Sequence, residues 1–406
     1  MEVWSKKVKG SALQFALLIA TVVILMLLAF IVLTNTHRFF RIQSNFLYSA
    51  IENADTGIKN TLHANQAIEP LLSNDSIEIR QEFLGGYRMI SATGSTKTTE
   101  FTKKALLGNL EKDNKALYLT NNIQPLVFVG KSKIIGDAYL PERGIKPGMI
   151  AGDYFNGETM VTGRRLGSSS QLPKLEPNFD RYISKLLKTL PNSQQQNRNE
   201  IEQHSFFAEE KVFFEPNPMD VFETLAGNMI LKSTSEIVIH PEATLTDVIL
   251  VAPIIRIKEN VVGRMHLIAS DSIIIEKGVK LSYPSSLVLK AANISGEKKS
   301  GIVLQGNSQI SGIIVFLNSD RDRKRETDIF VNTEAQVKGQ VYCQGYLELQ
   351  GTIEGTVYTN YFLTKASGSR YINHIYDGRI IANSESIQYA GLPIVNSQKT
   401  ILQWLY

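Results

Sequence analysis

The pattern of apolar and polar positions changes character along the chain. Ser11 to Leu33 (SALQFALLIATVVILMLLAFIVL) carries no charge, and Ser11, Gln14 and Thr21 are its only polar interruptions. At 1.5 Å per residue it reaches roughly 35 Å, enough to cross a hydrocarbon core of about 30 Å. It ends in Thr34-Asn35-Thr36-His37-Arg38-Phe39, which lacks the small-x-small site of a cleaved secretory signal, so it is expected to stay in the membrane. Beyond it, Phe40, Leu47, Ile51, Ala54, Ile58 and Leu62 recur at helical spacing, with Arg41, Gln43, Glu52, Asp55 and Lys59 on the other faces. That spacing predicts one continuous helix from about Ser11 to Leu62, half membrane-embedded and half amphipathic.

Further on the period falls to two. From Ala335 to Tyr358 (AQVKGQVYCQGYLELQGTIEGTVY) small or apolar residues alternate without exception with polar residues or Tyr, the signature of half-buried strand. Gly339, Gly345 and Gly351 all fall on the inward set at six-residue steps, as the crowded corners of a solenoid would require. The same register recurs from Ile302 to Phe316 and, earlier, from Gly130 to Leu140. Between them lie the short apolar runs EIVIH, DVILVAPIIRI, SIIIEKGVKL and SSLVLKAA. Hairpin signals are sparse, with Asn156-Gly157 the one clear case. The expected fold class is mainly β: an N-terminal transmembrane and amphipathic helix, then a parallel β-helix (solenoid) with a helical insertion. A β-sandwich is the alternative.

The expected organisation is a basic cytoplasmic leader (1–10), a transmembrane helix (11–33), an amphipathic helix (34–66), and a β-rich region with a first solenoid piece (67–166). A helical insertion and polar linker (167–227), the main β-helix (228–378) and a C-terminal cap (379–406) follow. Within the insertion, Phe179, Tyr182, Ile183, Leu186, Leu187 and Leu190 mark a short amphipathic helix. The linker Asn192–Asn199 (NSQQQNRN) is expected to be protease-accessible.

Composition narrows the function classes. The chain is 43% hydrophobic and 20% charged, with 28 Gly and 13 Pro among 406 residues, which excludes wholesale disorder and collagen-like repeats. A net charge of +4 is too small to imply nucleic acid as a partner. A single cysteine, Cys343, excludes an internal disulfide framework and a Cys-based zinc cluster, and its place on the inward set predicts a buried, inert thiol. Lys6, Lys7 and Lys9 precede the apolar span, and Arg38 and Arg41 follow it. That bias favours a cytoplasmic N-terminus and an exported bulk, in the bacterial periplasm or at the surface.

Lys6-Lys7-Val8-Lys9-Gly10 followed by Ser11-Ala12-Leu13 resembles the leader of type IV pilins and type II secretion pseudopilins. The resemblance implies cleavage by a prepilin peptidase after Gly10, leaving Ser11 as the new N-terminus, and packing of the helix through Leu62 in a fibre. It covers about 55 residues and departs from the family at Phe15, where most members carry Glu. The region from about Ile230 to Gly378 resembles bactofilin-like and other bacterial β-helix domains, a pattern that brings no catalytic motif with it.

Candidate chemistry is thin. The six histidines, His37, His63, His204, His240, His266 and His374, show no metal-ligand spacing and read as surface or packing residues, so no metal or cofactor is expected. The Asp320–Glu326 cluster (DRDRKRE) has the carboxylates and bases that β-helix polysaccharide lyases use, but it lacks a second carboxylate patch and reads as a solvated loop. No phosphate loop, nucleophile elbow or Ser-His-Asp order can be assembled. Tyr342, Tyr346 and Tyr358 share the outward set with Gln340, Gln344, Glu348 and Gln350, a face suited to sugar rings or to a partner protein. The expectation is therefore a non-enzymatic, single-pass membrane protein with a structural or assembly role. Its partners would be other membrane or fibre subunits, as in a minor pilin-like component. A membrane-anchored polysaccharide-active enzyme and a cytoplasmic, membrane-tethered, polymer-forming scaffold are the alternatives.

Overall fold

The computed structural model describes residues 10–63, 77–97, 99–110, 114–190, 198, 200–291, 301–318, 326–382, 391–395 and 397–406. The leader before Gly10, the linker Asn192–Asn199 apart from Arg198, and the Asp320–Glu326 cluster apart from Glu326 lie outside the described residues. The chain is mainly β with one long N-terminal helix, and it divides into two units. The first comprises residues 1–59, 70–79 and 92–103; the second comprises residues 60–69, 80–91 and 104–406.

The first unit is organised by helix α1 (Gly10–His63). Strand segments cover its later turns, burying Ala50, Ala54 and Ile58. The approach is so close that a Cβ on Gly94 would stand 2.0 Å from the Ala50 carbonyl oxygen, which is why the strand carries glycine there. Asn53 donates to the Ser95 carbonyl at 3.3 Å, and Lys103 pairs with Asp55 at 2.5 Å. Phe40 and Leu47, expected on the covered face, remain 64% and 42% exposed. The cover begins only near Phe46, whose ring lies under the Lys97 ammonium.

The second unit contains a sheet of 21 strands, paired in parallel apart from the hairpin formed by Thr352–Ala366 and Ser369–Ile372. Its pairing builds columns of like residues. Leu231 sits beside Leu250, then Leu267, Leu287, Ile314, Val341 and Val357 in turn. All are buried in one continuous aliphatic core, as the period-two pattern requires when a single face turns inward. Cys343 is on this buried inner set. The column continues from Val357 to Leu117 and Ala138. The early segment 115–167 therefore stacks beyond the late strand Thr352–Ala366, although it comes before the insertion in sequence. An antiparallel sandwich does not describe this sheet.

Three expectations need correction. Residues 201–227, read as part of the helical insertion and polar linker (167–227), hold four short strands paired in parallel with the strands that follow: Ile201–His204, Lys211–Glu215, Met219–Val221 and Thr224–Gly227. They are too short and too interrupted by turns to show alternation. The segment 379–406, read as a cap, contributes Arg379–Ile381 to the parallel sheet and Gln398–Leu405 as an antiparallel partner of Thr99–Leu110. The six-residue glycine spacing is not the repeat. Neighbours across the sheet are unequally spaced, from Leu347 beside Phe362 to Ile273 beside Ile302, and the glycines in register are Gly312, Gly339 and Gly355.

A second layer covers part of the sheet's outer face. The outward residues Ile249, Ile268, Val288, Val315, Tyr342 and Tyr358 pack against Leu84, Tyr87, Leu106, Leu392, Leu405 and helix α2 (Pro177–Lys188). α2 begins with a proline in its first turn, where the missing N–H costs nothing, and buries Phe179 and Ile183. Its C-terminal carbonyls at Leu186 and Thr189 accept from the Lys232 ammonium of the sheet below. Other segments of this layer lie backbone-down: a Cβ on Gly85 would meet His266 at 2.3 Å, and one on Gly86 or Gly391 would meet Ile313 at 2.5 or 2.4 Å. Polar bonds tie the same points, from Gly86 N–H to Ser286 Oγ and from Leu392 N–H to Gln340 Oε1.

Candidate membrane and assembly surface

α1 supplies the surface with the clearest chemistry. From Leu13 to Leu33 its large apolar side chains are exposed, with Leu13, Leu25 and Met26 at 75%, 65% and 70%. Among the described residues it is the one helix long and apolar enough to cross a membrane. Three threonines in and just beyond the uncharged span satisfy their hydroxyls within the helix. Thr21 donates back to Leu17 and Leu18, Thr34 to Phe30 and Thr36 to Val32. Such back-bonding removes the cost of placing a hydroxyl in hydrocarbon. The same helix is unbroken from Gly10 to His63, so the exposed apolar half is rigidly continuous with the half packed in the first unit. Phe39, Phe40, Ile42 and Tyr48 add exposed apolar surface beyond the uncharged span.

The candidate processing position Gly10 is the first residue of α1; the Ser11 side chain lies outside the described residues.

The tyrosine face turns out differently from its sequence reading. Tyr342 and Tyr358 do point outward, yet they are 2% and 1% exposed because the second layer covers them. The Tyr342 hydroxyl donates to the Pro173 carbonyl at 3.0 Å, and burial raises its pKa. Tyr346 is half-buried and stacks on Tyr361, centroids 5.1 Å apart and planes 24° apart. The stack engages one face of each ring, leaving less of the ring surface that sugar stacking needs. The three tyrosines do not form one open platform.

The histidines are scattered in space as in sequence. His204 contacts the Glu209 carbonyl, His240 pairs with Asp220 and stacks on Phe222, and His374 bonds the Ile372 carbonyl. His266 is fully buried, with Nδ1 2.9 Å from Ser286 Oγ. Sequence reading gave no reason to single it out, because a histidine in an apolar strand has no local signature of what covers it. Among the described residues, no group of three His, Cys, Asp or Glu side chains could hold a metal ion. Glu326, at the end of the charged cluster, pairs with Lys365 and Arg370.

No protein-family model matches the chain, and no curated protein matches it. Among solved structures, the competence-associated pilin ComZ from Thermus thermophilus aligns over 89% of this chain and 97% of its own, at 8% identity and a TM-score of 0.25. That likeness is too slight to support an argument about fold or function.

Proposed function

We propose that this chain is a single-pass bacterial inner-membrane protein with a structural rather than enzymatic role. α1 is its anchor and assembly element, and the second unit, a parallel β-helix, is its displayed module. The N-terminus is cytoplasmic and the bulk lies in the periplasm or at the surface. The leader resemblance at Lys6–Gly10 supports a minor pilin-like place in a fibre or secretion machine, with other subunits as partners.

The observation that carries this reading is the unbroken α1, apolar and exposed from Leu13 to Leu33, then packed among strands from Ala50 to Ile58. A soluble chain gains nothing by holding such a surface in water, whereas a membrane or a bundle of like helices removes it from water. A topology reporter fused after Tyr406 tests the reading: export-dependent signal is expected, and signal from the cytoplasm would overturn it.

A further inference from the structure

His266 sits at the seam between the parallel sheet and its second layer. It lies on strand Val262–Ile275, between Ile249 and Ser286 in register, with its side chain outward under the Gly85–Gly86 turn. Ser286 Oγ accepts the Gly86 N–H at 2.9 Å and lies 2.9 Å from His266 Nδ1. A hydroxyl that accepts from Gly86 still has a hydrogen to give and a second lone pair to offer, so Ser286 can hold the neutral ring at Nδ1 in either tautomer. Nε2 is buried and has no hydrogen-bond partner. The turn closes over the ring so tightly that Gly85 has no space for a Cβ, and Tyr87 places its ring edge-on at 5.9 Å.

Among the described residues, the carboxylate that acts on a second proton on this ring is Asp247, itself paired. Asp247 is already bound by Arg264 at 2.6 and 2.7 Å and by Gln403 at 2.9 Å, so that pair offers His266 nearly balanced charge. On the layer above, Tyr182 takes the Gly85 N–H through its hydroxyl, and Glu82 and Glu210 face Tyr182. Tyr283 faces Tyr87. An imidazolium donates at both nitrogens, so it could use Ser286 only as an acceptor and would leave a charged N–H at the buried, unpartnered Nε2.

We propose that the Gly85–Gly86 turn is an acid-released clasp: protonation of His266 puts an unpaired charge beneath the closed turn and lifts the turn from the parallel sheet. Burial lowers the His266 pKa from 6.5 to about 4, outweighing Asp247, which favours the charge, and aided by the smaller effect of Arg264, which opposes it. The closed form thus binds its proton more weakly than an opened form with an ordinary histidine. Closure is fully favoured above pH 6.5 and weakens as pH falls from there toward about 4.

Hydrogen exchange of the detergent-solubilised full chain, read on peptides spanning Glu82–Tyr87 and corrected for intrinsic rates, tests the clasp. Between pH 7.5 and 5.0 the opening equilibrium is expected to rise roughly 30-fold, the ratio that these two pKa values imply. His266→Gln, which cannot take the proton, is expected to show a flat profile. Unchanged protection in the wild type, or identical opening in His266→Gln, overturns the proposal. Should His266→Gln fail to fold, exchange of the His266 ring C2 hydrogen in the wild type decides: a midpoint below pH 5 in the closed state is expected, and one near 6.5 overturns it.

Discussion

Gly339 lies beside Gly312 in the parallel sheet, both in a left-handed conformation, at φ 142° and 144°. A Cβ on Gly339 would stand 1.9 Å from the Gly312 carbonyl oxygen. Gly355 repeats the arrangement one strand further on, at φ 145° and 1.8 Å from the Gly339 carbonyl. Three glycines in register thus let the chain bend where any side chain would strike the backbone of the neighbouring strand.

Gly339→Ala should therefore cost at least about 3 kcal/mol, combining a backbone region closed to other residues with a collision that no rotamer relieves. Gly167→Ala, where an added Cβ meets nothing within 4 Å, is the matched control and should stay within about 0.5 kcal/mol. Urea midpoints of the two variants compare them directly.

Tyr342→Ala and Tyr358→Ala should each destabilise the second unit by about 3–5 kcal/mol, as for other large buried aromatics. Tyr346→Ala, half-buried and stacked on Tyr361, should cost less than about 1.5 kcal/mol. Thermal unfolding monitored by near-ultraviolet dichroism measures all three. Equal small losses would mean that the second layer does not hold the tyrosines.

Lys232 reaches α2 by donating to the Leu186 and Thr189 carbonyls, and burial lowers its pKa. Lys232→Met should strand those carbonyls and loosen the end of α2, at about 1–3 kcal/mol. Faster proteolysis near Lys188, against an unchanged digestion pattern elsewhere, is the expected reading.

Lys399 is buried beside Arg88, and burial, with the Arg88 charge, lowers its pKa from 10.5 to about 8. The folded state sheds this proton between about pH 8 and 10.5 while the unfolded chain keeps it, so stability rises with pH across that window and the penalty is complete below it. Lys399→Met should raise the melting temperature at pH 7 by more than at pH 10. A larger gain at pH 10 would reverse the assignment.

Leu25→Lys places a charge near the centre of the uncharged run, at about 2.5–3.5 kcal/mol of insertion free energy. It should shift part of the protein out of the membrane fraction in carbonate extraction. N-terminal sequencing of the extracted wild type addresses the leader: Ser11 at the start supports the fibre role, and Met1 leaves a plain anchor.

Much of the architecture was legible because two periods are local properties. An uncharged run from Ser11 to Leu33 has one low-energy form in hydrocarbon, a helix, whatever the rest of the chain does. Strict alternation from Ala335 to Tyr358 requires a strand with one face buried, and Val341, Cys343 and Val357 lie on that face. Alternation states which residues point outward; it says nothing of what lies above them. Tyr342 and Tyr358 point outward, as their positions dictate, and are buried because segments more than a hundred residues away fold over that face, among them Pro173, whose carbonyl accepts the Tyr342 hydroxyl. Leu117 stacks on Val357 across a similarly long separation, so the order of strands in the sheet departs from the order in the sequence. Such contacts depend on which surfaces meet after the chain has closed on itself. Helical and strand periods record the environment of each side chain, and only the tertiary structure decides which partner supplies it.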